Sequence, residues 1–97
     1  MINIAGTSTG RGECRSRTSG SAVVIIRVST GAGWPFEILL DMGADFLRAQ
    51  RTADGIQRGT RVEARAAAAI GVTDHDIARV RLDRLEWISI NGVALAS

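Results

Sequence analysis

Arginine is the residue type in this chain that is best suited to chemistry with a charged partner. All twelve basic side chains are arginines, against ten acidic side chains and one histidine. Residues 1–30 carry a net charge of +3, whereas the rest of the chain is close to neutral. Guanidinium groups pair well with phosphates, so this imbalance predicts one positive face near the N-terminus. The four arginines concerned are Arg11, Arg15, Arg17 and Arg27.

The absence of lysine has a second explanation, a biased genomic base composition, and the sequence leaves both open. The net charge is only +2, although the calculated pI is 9.9. With no lysine and no tyrosine, few groups titrate between histidine and arginine, so a small excess charge raises the pI strongly. The distribution of charge is therefore more informative than its total.

Catalytic chemistry is not indicated. The one histidine, His75, lies between Asp74 and Asp76, but neighbouring residues on a strand or helix point in different directions. We interpret this trio as a polar loop tip. The single cysteine, Cys14, excludes an internal disulfide and a cysteine cluster for metal. The sequence thus predicts a protein that is not an enzyme and has no catalytic residues, metal site or cofactor.

Length and composition predict a single domain spanning residues 1–97. Hydrophobic residues make up 45% of the chain and charged residues 23%, as in ordinary globular proteins. The longest uncharged apolar run, residues 66–72, is too short to cross a membrane. No signal peptide is recognisable, so we expect a cytoplasmic protein. A chain this short buries only roughly 60–65% of its unfolded surface, and we therefore expect a homodimer or tetramer.

Two strands and a helix can be assigned in the first half. Residues 22–29 are mostly β-branched aliphatics, which favours a strand. A glycine turn at 31–33 leads to a second strand at 34–41, where Pro35 suggests an edge or first position. Asp45 is placed to cap a short helix near residues 44–54. The second strand is predicted to carry Trp34, Phe36, Ile38 and Leu40 on one face, and the helix to bury Phe46, Ala49 and Ala53.

The last third is ambiguous between strand and helix. Residues 60–70 alternate in polarity, but they also contain four consecutive alanines, which favour a helix. Residues 77–90 fit both periods as well. If helical, residues 61–86 would form a helix-turn-helix that binds duplex DNA, with its turn at 71–73. Its second helix would direct Arg79, Arg81 and Arg84 towards the major groove.

Short motifs in a fixed order support a different interpretation. The chain opens with Ile-Asn-Ile-Ala-Gly at residues 2–6, and Arg15 precedes Ser-Gly-Ser-Ala-Val at 19–23. Trp34 begins the next apolar segment, and Ile-Gln-Arg-Gly-Thr-Arg-Val follows the helix at 56–62. Together with residues 26–30 and 79–88, these segments resemble the DNA-binding domain of bacterial single-stranded DNA-binding proteins and the related primosomal replication protein N. The resemblance covers nearly the whole chain and depends on order and spacing.

This resemblance implies an all-β fold, a five-stranded oligonucleotide-binding (OB) Greek-key barrel with one short helix between strands 3 and 4. It also implies sequence-independent binding of single-stranded DNA, or of RNA, in replication, primosome or mobile-element DNA metabolism. Replication or primosome proteins would be its protein partners. Trp34 matches a position at which the family stacks a base, and arginines would pair with phosphates. The resulting DNA-binding set is Trp34, Arg11, Arg15, Arg17, Arg27, Arg61 and Arg65.

A third interpretation also remains open. The chain has only four aromatic side chains, whereas base stacking normally uses several. An OB-fold module that binds proteins through a sheet edge, with little affinity for DNA, would need fewer. The small number of aromatic residues favours that module, whereas the N-terminal arginines favour a protein that binds nucleic acid.

Overall fold

Most residues of the protein belong to strands. The computed structural model describes residues 1–31, 33–74 and 77–95. The one helix of these residues is nine residues long, and no helix in this part of the chain has the length and apolarity to cross a membrane. The elements are β1 (Ile2–Ser8), β2 (Glu13–Ser16), β3 (Ala22–Ser29), β4 (Phe36–Asp41), α1 (Phe46–Asp54), β5 (Arg61–Asp74), β6 (Ile77–Ile90) and β7 (Val93–Ala94).

The strands form one sheet, paired in the order β1-β5-β6-β4-β3-β2. The first strand also pairs with β3, through Thr7 with Ser29 and Ser8 with Val28. The series of paired strands β1-β5-β6-β4-β3 therefore leads back to β1. All pairings are antiparallel except β4 with β6. This arrangement is compatible with the predicted all-β, barrel-like fold. The number of strands differs from the five expected, because the described residues add the short strands β2 and β7.

A glycine allows β1 to reach both neighbours. A Cβ atom at Gly6 would collide with the carbonyl oxygen of Ser29 on β3. In the same strand Gly6 is in register with Val62 on β5. The bare backbone at this position therefore lets β1 approach β3 closely while it remains paired with β5.

Strand β3 has the bounds predicted from its β-branched residues. Its side chains Ala22, Val24, Ile26 and Val28 are fully buried, and every second residue faces the interior, as the strand period requires. The core around them also includes Ile38, Ala49, Ala53, Ile56, Val62, Ala64, Ala66, Leu82 and Ile88.

The helix-turn-helix interpretation is wrong. Residues 61–74 and 77–90 are antiparallel strands, and the proposed turn at 71–73 lies inside β5. Val62, Ala64 and Ala66 are buried, whereas Arg61 and Arg65 are exposed and Glu63 is half-buried. Burial of alternate residues against the core outweighs the helix propensity of the alanines. Of the polar trio, His75 and Asp76 lie outside the described residues.

The alternation of core-facing and outward-facing residues along β6 shifts at the point where its register with β5 changes. The pairing slips between Arg65 and Ala66, and Arg84 on β6 has a φ of 55°. As a result Leu82 and Leu85, three residues apart, both contact the core. This irregularity is a β-bulge, which bends a strand and redirects its side chains.

The helix α1 forms where it was predicted. Asp45 caps it, its Oδ1 accepting a hydrogen bond from the backbone N–H of Arg48 at 3.0 Å. Ala49 and Ala53 are buried against the sheet as expected. The prediction for Phe46 is wrong, because its side chain is 43% exposed at the first turn of the helix.

Candidate nucleic-acid interface

The hairpin between β3 and β4 presents Trp34. Gly31 and Gly33 have φ values of 87° and 72°, a backbone conformation that glycine adopts at little cost. The strand after the turn begins at Phe36, so the expectation that Trp34 belongs to it is wrong. Pro35 separates the two residues, and Trp34 is 67% exposed. The indole is therefore available as a flat surface beside the sheet.

Glu37 on β4 is a buried carboxylate surrounded by arginines. Its side chain is 4% exposed, although strand alternation places it on the opposite face from the core residue Ile38. Arg81 on β6 donates to Glu37 Oε1 from Nε at 2.9 Å and from Nη2 at 2.7 Å. Arg79 donates from Nη1 to Oε2 at 3.0 Å. The two arginines cover the carboxylate, and their own side chains are 28% exposed for Arg79 and 31% exposed for Arg81.

The parallel pairing of β4 with β6 explains this arrangement. It comprises two residue pairs, Phe36 with Val80 and Glu37 with Arg81. Because side chains alternate along a strand, Arg79 and Arg81 lie on the same face of β6 as each other and reach Glu37 together. Arg27 is the register partner of Glu37 on β3 and lies 3.9 Å from Oε2.

The charge state of Glu37 follows from these contacts. Burial raises the pKa of its carboxyl, because desolvation disfavours the charged form. Hydrogen bonds and positive charge from Arg81 and Arg79 outweigh that effect, and the pKa lies below its ordinary value. Glu37 is thus an ionised carboxylate that holds the arginines in place at neutral pH.

A second carboxylate extends the network across β2. Glu13 lies 3.0 Å from Arg15 on its own strand and 3.4 Å from Arg27 on β3. Charged contacts therefore run from β2 through β3 and β4 to β6. We call this surface the arginine face, and it consists of Glu13, Arg15, Arg27, Glu37, Arg79 and Arg81.

The other predicted arginines lie around or away from this face. Arg17 follows β2 and lies 3.9 Å from Asp41 at the end of β4, while Arg11 is exposed in the loop before β2. Arg61 and Arg65 are on β5 beside β1, where they contact Glu63 and Asn3 at 2.9 Å. The predicted set is therefore divided. Arg27 lies 3.9 Å from Glu37, Arg15 is linked to Arg27 through Glu13, Trp34 lies at the hairpin before β4, and the β5 pair makes other contacts.

Sequence reasoning missed Glu37, and it gave Arg79 and Arg81 a binding role only in the alternative helix-turn-helix interpretation. The signal for their true position was the alternation of Arg79 and Arg81 with Val80 and Leu82, which is typical of a strand. Glu37 stands in the apolar segment Phe-Glu-Ile-Leu-Leu, where a charged residue is expected to face solvent. Its partners are 42 and 44 residues further along the chain, and no local pattern could have indicated them.

Beyond Glu37 the strands β4 and β6 separate. A groove of about 530 Å³ opens between residues 39–43 and 84–88, with Arg48 of α1 and Leu95 at its rim. Leu95 follows β7, and its N–H donates to the carbonyl of Ile88 at 3.0 Å. The groove is largely apolar, and Trp87 is 42% exposed beside it. It differs in character from the arginine face.

Within the described residues no group of three or more histidine, cysteine, aspartate or glutamate side chains is placed to hold a metal ion. Comparison of the chain with protein-family models, curated proteins and solved structures found no match.

Proposed function

We propose that this protein is an OB-fold protein that binds single-stranded DNA without sequence preference. The pairing order supports this fold, since β1 pairs with both β3 and β5 and β4 runs parallel to β6. With β1 and β2 taken as halves of one bent strand and β7 as a short addition, five strands remain, with α1 between the third and fourth. The resemblance to bacterial single-stranded DNA-binding proteins and primosomal replication protein N points to replication, primosome or mobile-element DNA metabolism.

The observation that carries the proposal is the arginine face together with the exposed Trp34 of the hairpin between β3 and β4. The face has four arginines and two glutamates and so a net charge of +2. Trp34 lies three residues before Glu37, at the hairpin that joins two strands of this face. A positive surface next to a flat aromatic side chain is what single-strand binding needs. Arg11 and Arg17 would extend the positive surface from the loops beside β2, and Arg61 and Arg65 from β5.

A salt titration tests the proposal directly. Fluorescence anisotropy would follow a labelled 15-nucleotide oligothymidylate, and a duplex of equal length, at increasing salt. We expect the single strand to bind more tightly. If three to five phosphates are neutralised, log K should fall against log salt with a slope of roughly −2 to −3.5. Absence of binding at low salt would refute the proposal.

That refutation would favour the second candidate, an OB-fold module for protein interaction. Many arginines are paired with carboxylates, as in Arg17 with Asp41 and Arg61 with Glu63, and such pairing reduces the charge available to phosphates. The groove between β4 and β6 also offers an apolar surface where the two strand edges face each other. The DNA titration distinguishes the two candidates, because the module has little affinity for either oligonucleotide.

We also propose that the protein is a homodimer or tetramer. Strand β1 pairs with β5 through Ala66, and in residues 67–74 the described strand beside β5 is β6 alone. The outer edge of this segment, on the side away from β6, is suited to pairing with a second copy. Sedimentation equilibrium should show self-association at micromolar concentration, and a monomer at high micromolar concentration would contradict it.

A further inference from the structure

Arg81 differs from an ordinary phosphate-binding arginine. Two of its five N–H donors, at Nε and Nη2, are directed at Glu37 Oε1. This is the edge with which an arginine grips a phosphate or carboxylate side-on. With that edge occupied, the guanidinium is fixed in its plane, while the side chain keeps 31% of its surface exposed to a ligand.

The residue opposite Arg81 is apolar. Ile70 on β5 is the cross-strand partner of Arg81 and is 41% exposed. Directly paired side chains on a sheet stand about 5 Å apart and on the same side. A ligand above Arg81 therefore meets a fixed cationic plane with an aliphatic side chain beside it. This environment suits an aromatic base better than a phosphate.

We infer that Arg81 is a stacking platform for a nucleobase, with Glu37 as the residue that positions it and Ile70 as its apolar flank. Guanidinium planes stack on bases as aromatic rings do. The inference rests on the proposed function and deepens it, because it assigns base contact to a residue other than Trp34. It gives a chain with four aromatic side chains a base contact besides Trp34.

The test compares a normal oligothymidylate with an abasic oligonucleotide of equal length and phosphate number. Arg81→Lys keeps the positive charge and removes the plane. It should weaken binding of the normal strand by about 5- to 100-fold, the effect of losing one stacked base. Binding of the abasic strand should stay within about twofold of the parent, and the salt slope should not change because no phosphate contact is lost.

Two further variants make the result interpretable. Arg84→Lys is the matched control on the same strand, outside the arginine face, and should leave both affinities unchanged. Ile70→Ala removes the flank without touching Glu37, and should weaken the normal strand by about two- to fivefold and spare the abasic one. Ile70→Ala also tests the inference by itself if Arg81→Lys fails to fold, as judged by circular dichroism.

The outcomes distinguish a failure of the inference about Arg81 from a failure of the proposed function. Equal losses on both strands for Arg81→Lys, or a flatter salt slope, would make Arg81 a phosphate contact and overturn the inference while the proposed function stands. Unchanged binding of both strands by Arg81→Lys and Ile70→Ala would do the same. A parent protein that binds neither oligonucleotide would overturn the proposed function, and the inference with it.

Discussion

The two ends of the contact between β4 and β6 differ in almost every respect. At Phe36 and Glu37 of β4 the two strands pair, and the buried carboxylate of Glu37 accepts hydrogen bonds from Arg79 and Arg81 of β6. Past Glu37 the strands separate around an apolar groove. One end is closed and charged, and the other is open and apolar. Glu37 lies at the paired end, so the same carboxylate both links β4 to β6 and organises the arginine face.

The first prediction concerns the boundary between the two ends. Ile38 is fully buried directly after Glu37, and Ile38→Ala should lower the free energy of unfolding by about 2–5 kcal/mol, because it leaves a cavity. Leu39, the next residue, is half-buried and lines the groove. Leu39→Ala should cost roughly 1 kcal/mol or less. Urea unfolding measures both, and equal losses would show that the groove is packed as tightly as the core.

The second prediction concerns Glu37 itself. Glu37→Gln should lower the free energy of unfolding by about 1–3 kcal/mol at neutral pH, since two arginines lose a charged acceptor. The pKa of Glu37 is lowered in the folded protein, so the unfolded chain binds the proton more readily. The stability it contributes is complete above the ordinary glutamate pKa of about 4.3 and is lost as the pH falls through the lowered pKa.

The measurement is urea unfolding of parent and variant over an acid pH series. The difference between them should shrink as the pH falls, because protonation removes the charge that the variant lacks already. Glu63→Gln is the matched control, since Glu63 lies 2.9 Å from Arg61 on an exposed part of the sheet. It should change stability by less than about 1 kcal/mol. Parallel curves for Glu37→Gln and the parent would contradict the role of this carboxylate.

The sequence predicts the closed end only in part. Local rules were sufficient for β3, where β-branched residues alternate in burial, and for α1, where Asp45 caps a run that buries two alanines. They were insufficient for residues 61–90, because alanine favours a helix in isolation and only packing against the core decides for a strand. The parallel register that brings Arg81 to Glu37 is a long-range contact, and no spacing in the sequence encodes it.

The third prediction compares the two tryptophans, one at each end. Trp34→Ala should weaken binding of single-stranded oligothymidylate by about 1–3 kcal/mol, the value of one stacked base. Its effect on unfolding should be within about 0.5 kcal/mol, because the side chain is largely exposed. Trp87→Ala, beside the groove, should leave the affinity unchanged. Anisotropy titrations decide between them, and a loss at Trp87 with none at Trp34 would place the nucleic acid at the groove.

The smallest effect is expected from single exposed arginines, and it is measured best as a change in salt dependence. Arg15 lies on the arginine face and its side chain is 68% exposed, while Arg84 lines the groove and its side chain is 81% exposed. Each lies near a carboxylate, at 3.0 Å and 3.6 Å, so the two side chains are similar in exposure and in charged contact. If single strands follow the arginine face, Arg15→Gln removes about one phosphate contact and reduces the steepness of the log K against log salt plot by about 0.7. Arg84→Gln should leave the slope as it is, because its charge lies at the open end. Equal flattening by both variants would mean that the strand senses only the total charge of the protein, and the distinction between the two ends would then have no bearing on binding.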